Sequence, residues 1–173
     1  RSGAAEEKGM IEVEDRIPEA TLWLATARGG EKIAASAYFA GRKILLFGLP
    51  GAFTPTCSEI HLPGYIAKAE ALRAAGVDAI ACLSVNDPYV MAAWGEAAGA
   101  TGKVDLLADG NGELTRALGL EVDRAASGMG QRCRRFAAVI EDGVFLMLAV
   151  EPDRGVTVCG AEHLLDALSE TDP

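Results

Sequence analysis

Nothing in this 173-residue chain approaches 18 consecutive apolar residues. The longest run inside a strand-like segment, 144–150, has seven, so a helical membrane span is excluded. No Cys-x-x-Cys pair occurs among the 4 cysteines. That removes the usual spacing of a structural zinc site and the dithiol of a thiol–disulfide oxidoreductase. Basic residues are few, 16 against 25 acidic, for a net charge of −9. Nucleic acid and anionic membranes both require a basic face, and neither is expected as a partner. There is no Gly-x-Ser-x-Gly elbow of a hydrolase, and no dinucleotide or P-loop glycine signature follows a strand. No Asn-x-Ser/Thr sequon is present, and residues 1–9 carry no apolar segment of the kind that heads a secretory signal.

What is there reads as one globular domain. Half the residues are hydrophobic and 24% are charged, enough for a substantial core that needs no disulfide staples. Unpaired thiols then point to a reducing, intracellular compartment such as the cytoplasm. The chain opens on Arg1 rather than Met, so a chloroplast or mitochondrial transit peptide removed upstream is compatible with it. Residues 1–11 are expected to be a mobile N-terminal segment ahead of a single domain over 12–173.

Short strands or a hairpin are expected over 12–25 and 32–39. A regular alternation follows: strand 43–49, helix 57–75 stopped by Gly76, strand 78–85, a helix capped by Asp87 with Pro88 at its first position, strand 104–108 and helix 112–118. Strands 136–140 and 144–150 flank Asp142-Gly143, a hairpin signal, and helix 162–169 closes the chain. Three strands joined by helical crossovers plus a terminal hairpin predict an α/β fold. Its mixed central sheet, with helices on both faces, is similar to the thioredoxin fold, with an N-terminal hairpin extension. Pro63, six residues into the helix after Cys57, should kink or break its first turn.

The most informative run is Pro50-Gly51-Ala52-Phe53-Thr54-Pro55-Thr56-Cys57-Ser58, between the apolar strand and the helix. Unpaired backbone N–H groups and the dipole at a helix start favour an anion, and a thiol there ionises more readily. Thr54 can present a hydroxyl to whatever Cys57 attacks, while Pro50 and Pro55 stiffen the loop. A plain buried cysteine is the alternative reading. His61 lies one helical turn after Cys57; packing or hydrogen bonding is expected of it rather than metal binding. His163 is expected at the surface.

The spacing Pro50-x-x-x-Thr54-x-x-Cys57 resembles the active-site motif of peroxiredoxins. His61-Leu62-Pro63-Gly64-Tyr65, Cys82-Leu83-Ser84-Val85-Asn86-Asp87, Trp94, Leu106-Leu107-Ala108-Asp109, Arg135-Phe136 and Thr157-Val158-Cys159 extend the likeness to the type-II (type-5, atypical two-cysteine) subgroup, over roughly residues 12 to 170. The resemblance implies a thiol peroxidase, an oxidoreductase reducing hydrogen peroxide and alkyl hydroperoxides without metal, haem or flavin. By the same resemblance Cys57 is the peroxidatic cysteine, Thr54 positions peroxide and thiolate, Pro50 shields the sulfur and Arg135 is the active-site arginine. Thioredoxin, glutaredoxin or glutathione is the implied reductant. A homodimer is implied too, with Phe53 and the loop before Trp94 near the contact. Arg132 and Arg134 are expected to be solvated surface.

Two cysteines compete to resolve the sulfenic acid that attack leaves on Cys57. Cys159 sits near the resolving position of animal-type members, and Cys82 at that of plant-type members. Cys82 lies inside an apolar strand, which discourages it. Cys159 lies in a Gly-flanked segment that should move more easily and is preferred. An external thiol remains a third route. Cys133, beside three arginines, matches no family role and is expected to be an incidental exposed thiol.

Overall fold

The computed structural model describes residues 9–27, 29–153 and 155–171. Strands β1 (Thr21–Thr26) and β2 (Gly29–Ala34) form a hairpin, followed by helix α1 (Ala35–Phe39) and strand β3 (Lys43–Gly48). A π-helical turn (Cys57–His61) leads into α2 (Leu62–Ala67) and α3 (Ala69–Ala74). Then come β4 (Ala79–Ser84), α4 (Pro88–Ala98), β5 (Asp105–Ala108) and α5 (Glu113–Leu118). A small ribbon, β6 (Glu121–Asp123) with β7 (Gln131–Cys133), precedes β8 (Phe136–Glu141), β9 (Val144–Val150) and α6 (Ala161–Thr171).

The seven-stranded sheet runs in the order β2-β1-β5-β4-β3-β8-β9. β3, β4 and β5 pair in parallel; β8 pairs antiparallel to β3, and β1 antiparallel to β5. The central strands are apolar at nearly every position because both faces are covered. Along β3 the side chains alternate between two cores. Leu45 and Phe47 join Tyr65, Leu72, Met91, Trp94 and Leu164 on one face. Ile44 and Leu46 join Phe39, Leu114, Leu118 and Phe136 on the other. The mixed sheet with helices on both faces is therefore as expected.

Local chemistry explains the element ends. The Asp87 carboxylate accepts from the Val90 N–H at 2.9 Å and Pro88 opens α4, as read from the sequence. Asp142 and Gly143 turn β8 into β9 with φ of 49° and 81°, the left-handed pair of a two-residue hairpin.

Several expectations are corrected. Residues 35–39 are helical, because Ala35, Tyr38 and Phe39 fall at helical spacing and are buried together. Residues 12–20 are irregular, tied to the sheet by one bridge from Arg16 to Val144. The segment expected to be mobile over 1–11 lies outside the described residues up to position 8. Its end is anchored: Ile11 is buried and its N–H donates to the Leu118 carbonyl at 2.9 Å. The single helix expected over 57–75 is three pieces, broken at Lys68. Pro63 disrupts its start by widening the turn rather than kinking it. The Leu62 N–H reaches back five residues to the Cys57 carbonyl, which relieves the clash a proline ring makes in an α turn. The ribbon β6–β7 was not anticipated: its strands have three residues each, too few for a period to stand out.

Candidate active site

The loop leaving β3 is built by its own backbone. Gly48 ends the strand where a Cβ would run into the Phe136 ring and crowd the Cys133 sulfur, so glycine leaves room for those side chains. Beyond it the Ala52 N–H donates to Asn86 Oδ1 at 3.0 Å. Thr54 Oγ1 donates to the Gly51 carbonyl at 2.7 Å, and the Ser58 N–H donates to the Thr54 carbonyl at 2.9 Å. Helical backbone starts at Pro55, which places Cys57 in the first turn, where N–H groups have no intrahelical acceptor. Trp94 Nε1 donates to Ser58 Oγ at 2.9 Å and fixes that turn against α4. The sulfur of Cys57 is fully buried.

Arg135, just ahead of β8, faces it. One guanidinium nitrogen lies 3.4 Å from Cys57 Sγ and the other 2.9 Å from His61 Nδ1. A guanidinium only donates, so Nδ1 accepts and the imidazole proton sits on Nε2. That Nε2–H donates to the Cys159 carbonyl at 3.0 Å, and the Tyr65 hydroxyl donates to the same oxygen at 2.7 Å. Phe47 stacks on Tyr65 at 4.1 Å. The structure thus brings Pro50, Thr54, Cys57 and Arg135 together and adds His61, of which packing or hydrogen bonding was expected, and Tyr65, to which the sequence gave no separate role.

Burial, and then the Arg135 charge, push His61 down to a pKa of about 3 from an ordinary 6.5. Between those values the unfolded chain binds a proton that the folded one does not, so this group's contribution to stability falls as pH falls below 6.5. From pH 6.5 to 5 the loss is about 2 kcal/mol. Urea unfolding of the wild type and of His61→Gln at both pH values should show it vanish in the variant.

Glu151, which follows β9, was missed. It is 4% exposed, and its carboxylate accepts from the Thr157, Val158 and Cys159 N–H groups at 2.6, 2.7 and 3.0 Å. It also accepts from the Thr157 hydroxyl at 2.6 Å and the Cys159 thiol at 3.1 Å. Burial pushes its pKa up, but the bonds from Thr157 and Cys159 outweigh that and hold it at about 2. The only sequence signal was a charged residue between an apolar strand and a Gly-bounded loop.

The four cysteines are free thiols and all are buried. Cys159 is therefore not the readily exposed thiol expected: Glu151 ties its loop shut, and burial followed by that carboxylate pushes its pKa up. Burial, then the nearby Cys57, pushes Cys82 up. Cys133, expected to be exposed, is buried, with its thiol donating to the Arg134 carbonyl at 3.1 Å. Arg132 and Arg134 are not solvated surface either. Arg132 donates to the Met129 carbonyl at 2.9 Å and the Pro50 carbonyl at 3.3 Å, strapping the ribbon onto the loop. Arg134 donates to the Glu151 carbonyl at 3.4 Å. His163 is exposed, as expected.

Beside the turn that carries the buried Cys57 opens a cleft of about 490 Å³ whose lining includes Pro50, Thr54, Pro55, Thr56, Arg134 and Arg135. A buried sulfur at a helix start, met by a guanidinium at the mouth of a cleft, defines a thiol redox enzyme on a thioredoxin-like scaffold. Known proteins agree. A family profile described as Redoxin matches residues 12–165. The chloroplastic peroxiredoxin-2E-2 of Oryza sativa subsp. japonica is 51% identical over 164 residues, 91% of this chain and 72% of that protein. Peroxiredoxin-2C of Arabidopsis thaliana is 44% identical over 159 residues, 91% and 98% of the two chains. The reduced Prx3 of Vibrio vulnificus, solved in complex with hydrogen peroxide, superposes with a TM-score of 0.87 at 48% identity, covering 92% of this chain and 99% of that one. The chain belongs to the peroxiredoxin family and is a thiol-dependent peroxidase.

Proposed function

We propose that Cys57 is the peroxidatic cysteine, with Thr54, Pro50 and Arg135 as its partners. The thiolate sulfur attacks the terminal oxygen of the hydroperoxide. An S–O bond forms as the O–O bond breaks, Cys57 becomes a sulfenic acid, and hydroxide or alkoxide leaves and takes a proton. Charge develops on the leaving oxygen, and Arg135 and first-turn N–H groups stand ready to stabilise it in a water-poor cleft. Thr54 orients the peroxide, and buried Pro50 keeps bulk water from the sulfur. The observation that carries this reading is the Arg135 nitrogen 3.4 Å from Cys57 Sγ, with its other nitrogen held by His61.

The sulfenic acid is then resolved by a thiol, releasing water and leaving a disulfide. Cys159 is the preferred partner because its carbonyl already belongs to the Arg135–His61 chain that ends on Cys57. Cys82, inside β4, would need the sheet to deform. Either must move, since all four cysteines are free thiols here. Mass mapping after one equivalent of hydrogen peroxide should find a Cys57–Cys159 disulfide, lost in Cys159→Ser and kept in Cys82→Ser. A Cys57–Cys82 bond, or an unresolved sulfenic acid, would assign the step to Cys82 or to an external thiol.

The family uses a peroxide and a thiol reductant; thioredoxin, glutaredoxin or glutathione is the reductant proposed. A homodimer through Phe53, Ile60 and Tyr89 is supported by their exposure, 56%, 56% and 72%, the first two on the active-site loop and turn and the third in the first turn of α4. The chloroplastic relative favours a plastid setting. Residues 12–173 would act as a single domain.

A further inference from the structure

Hydrogen peroxide has two oxygen atoms, and a molecule of that size fills little of the cleft, since a single water claims about 30 Å³. The remaining space of the roughly 490 Å³ lies under the ribbon β6–β7, between Val122, Arg124, Met129 and Arg134. The cleft gathers Arg124, Arg134 and Arg135 in a chain whose net charge is −9. Among the described residues none of the three is ion-paired to a carboxylate, the one salt bridge being Lys68–Glu162. Two acids also line the cleft. Glu151 has both oxygens occupied by the 157–159 loop, and Asp153 is exposed at the rim. Arg124 Nε is the one buried side-chain nitrogen or oxygen among the described residues that lacks a hydrogen-bond partner. A buried donor left unpaired is costly, and a carboxylate in the cleft that Arg124 lines supplies the missing acceptor once the guanidinium turns towards it.

We propose that Arg124, with Arg134 beside it, forms a subsite for the carboxylate of a small organic co-substrate whose reacting end lies at Cys57. Apolar Val122 and Met129 contact its carbon skeleton. The carboxylate takes no part in the bond changes; it orients the molecule. This rests on Cys57 being the peroxide-reactive thiol. Two co-substrates carry the required chemistry, an acid-bearing hydroperoxide and an acid-bearing thiol.

The test compares 4-carboxycumene hydroperoxide with its methyl ester in single-turnover oxidation at low ionic strength. The wild type should prefer the acid by about tenfold in rate constant at subsaturating peroxide, the scale of one screened charge-assisted hydrogen bond. Arg124→Gln should bring the acid-to-ester ratio to about one, as should high salt, while Arg124→Lys retains most of it. A second arm reduces pre-oxidised enzyme with 3-mercaptopropionate or its methyl ester. A ratio that responds to Arg124 only in the first arm assigns the subsite to the hydroperoxide, and only in the second to the thiol. If hydrogen peroxide is reduced but neither ratio responds to Arg124→Gln, the subsite is refuted while the peroxidase chemistry stands. If Cys57 does not react with hydrogen peroxide at all, both readings fall.

Discussion

Arg135→Ala is expected to slow peroxide reduction by at least about a hundredfold, and nearer to a thousandfold. The span in thiolate between an ordinary and a strongly activated cysteine is only roughly thirtyfold at pH 7, too small for a loss of that size. Part of even that is returned, because a more basic thiolate is a better nucleophile. The larger loss comes from the transition state, where charge moves onto the departing oxygen and a fixed donor in a dry site is worth about 10²–10³ in rate. The geometry supplies that donor: the guanidinium is already braced by His61 at 2.9 Å and needs no reorganisation. Stopped-flow peroxide consumption across pH 6–9 separates the two effects. A deficit that disappears once the pH is raised would mean that the arginine only ionises the thiol.

Glu151→Ala should cost roughly 3–5 kcal/mol, because it leaves three backbone N–H groups without their buried acceptor. It should also open the 157–159 loop, so that Cys159 is alkylated many times faster than in the wild type. The wild type itself should approach this behaviour in acid. The folded pKa of about 2 lies below the ordinary 4.5, so the contribution is complete above about 4.5 and lost as the pH falls towards 2. Denaturant unfolding with timed alkylation and mass detection of Cys159 reads both effects. Unchanged alkylation in the variant would show that the loop is held by something other than this carboxylate.

The thiol proposed to react with peroxide could be singled out in the sequence because its signal is local. Pro50, Thr54 and Cys57 share one strand–turn–helix unit, and backbone geometry alone orients them. Arg135 lies 78 residues away and was reached only through family resemblance; nothing in its local sequence says that β8 pairs with β3 and so brings it to the cysteine. Glu151 and Arg132 were lost for the opposite reason. Each serves backbone carbonyls or N–H groups, which any sequence has at every position, so no side-chain pattern marks them. The buried state of Cys133 and Cys159 was misread because flanking arginines in one case and glycines in the other look like a surface segment, whereas burial depends on what folds over them.

The central claim is that one particular sulfur, at the head of its helix and facing Arg135, receives the peroxide oxygen. Trapping with dimedone during oxidation by one equivalent of hydrogen peroxide, in a Cys82→Ser/Cys159→Ser background, tests it most directly. The account predicts a single adduct on Cys57 and none on Cys133. An adduct on Cys133, or peroxide consumed with Cys57 unmodified, would contradict it.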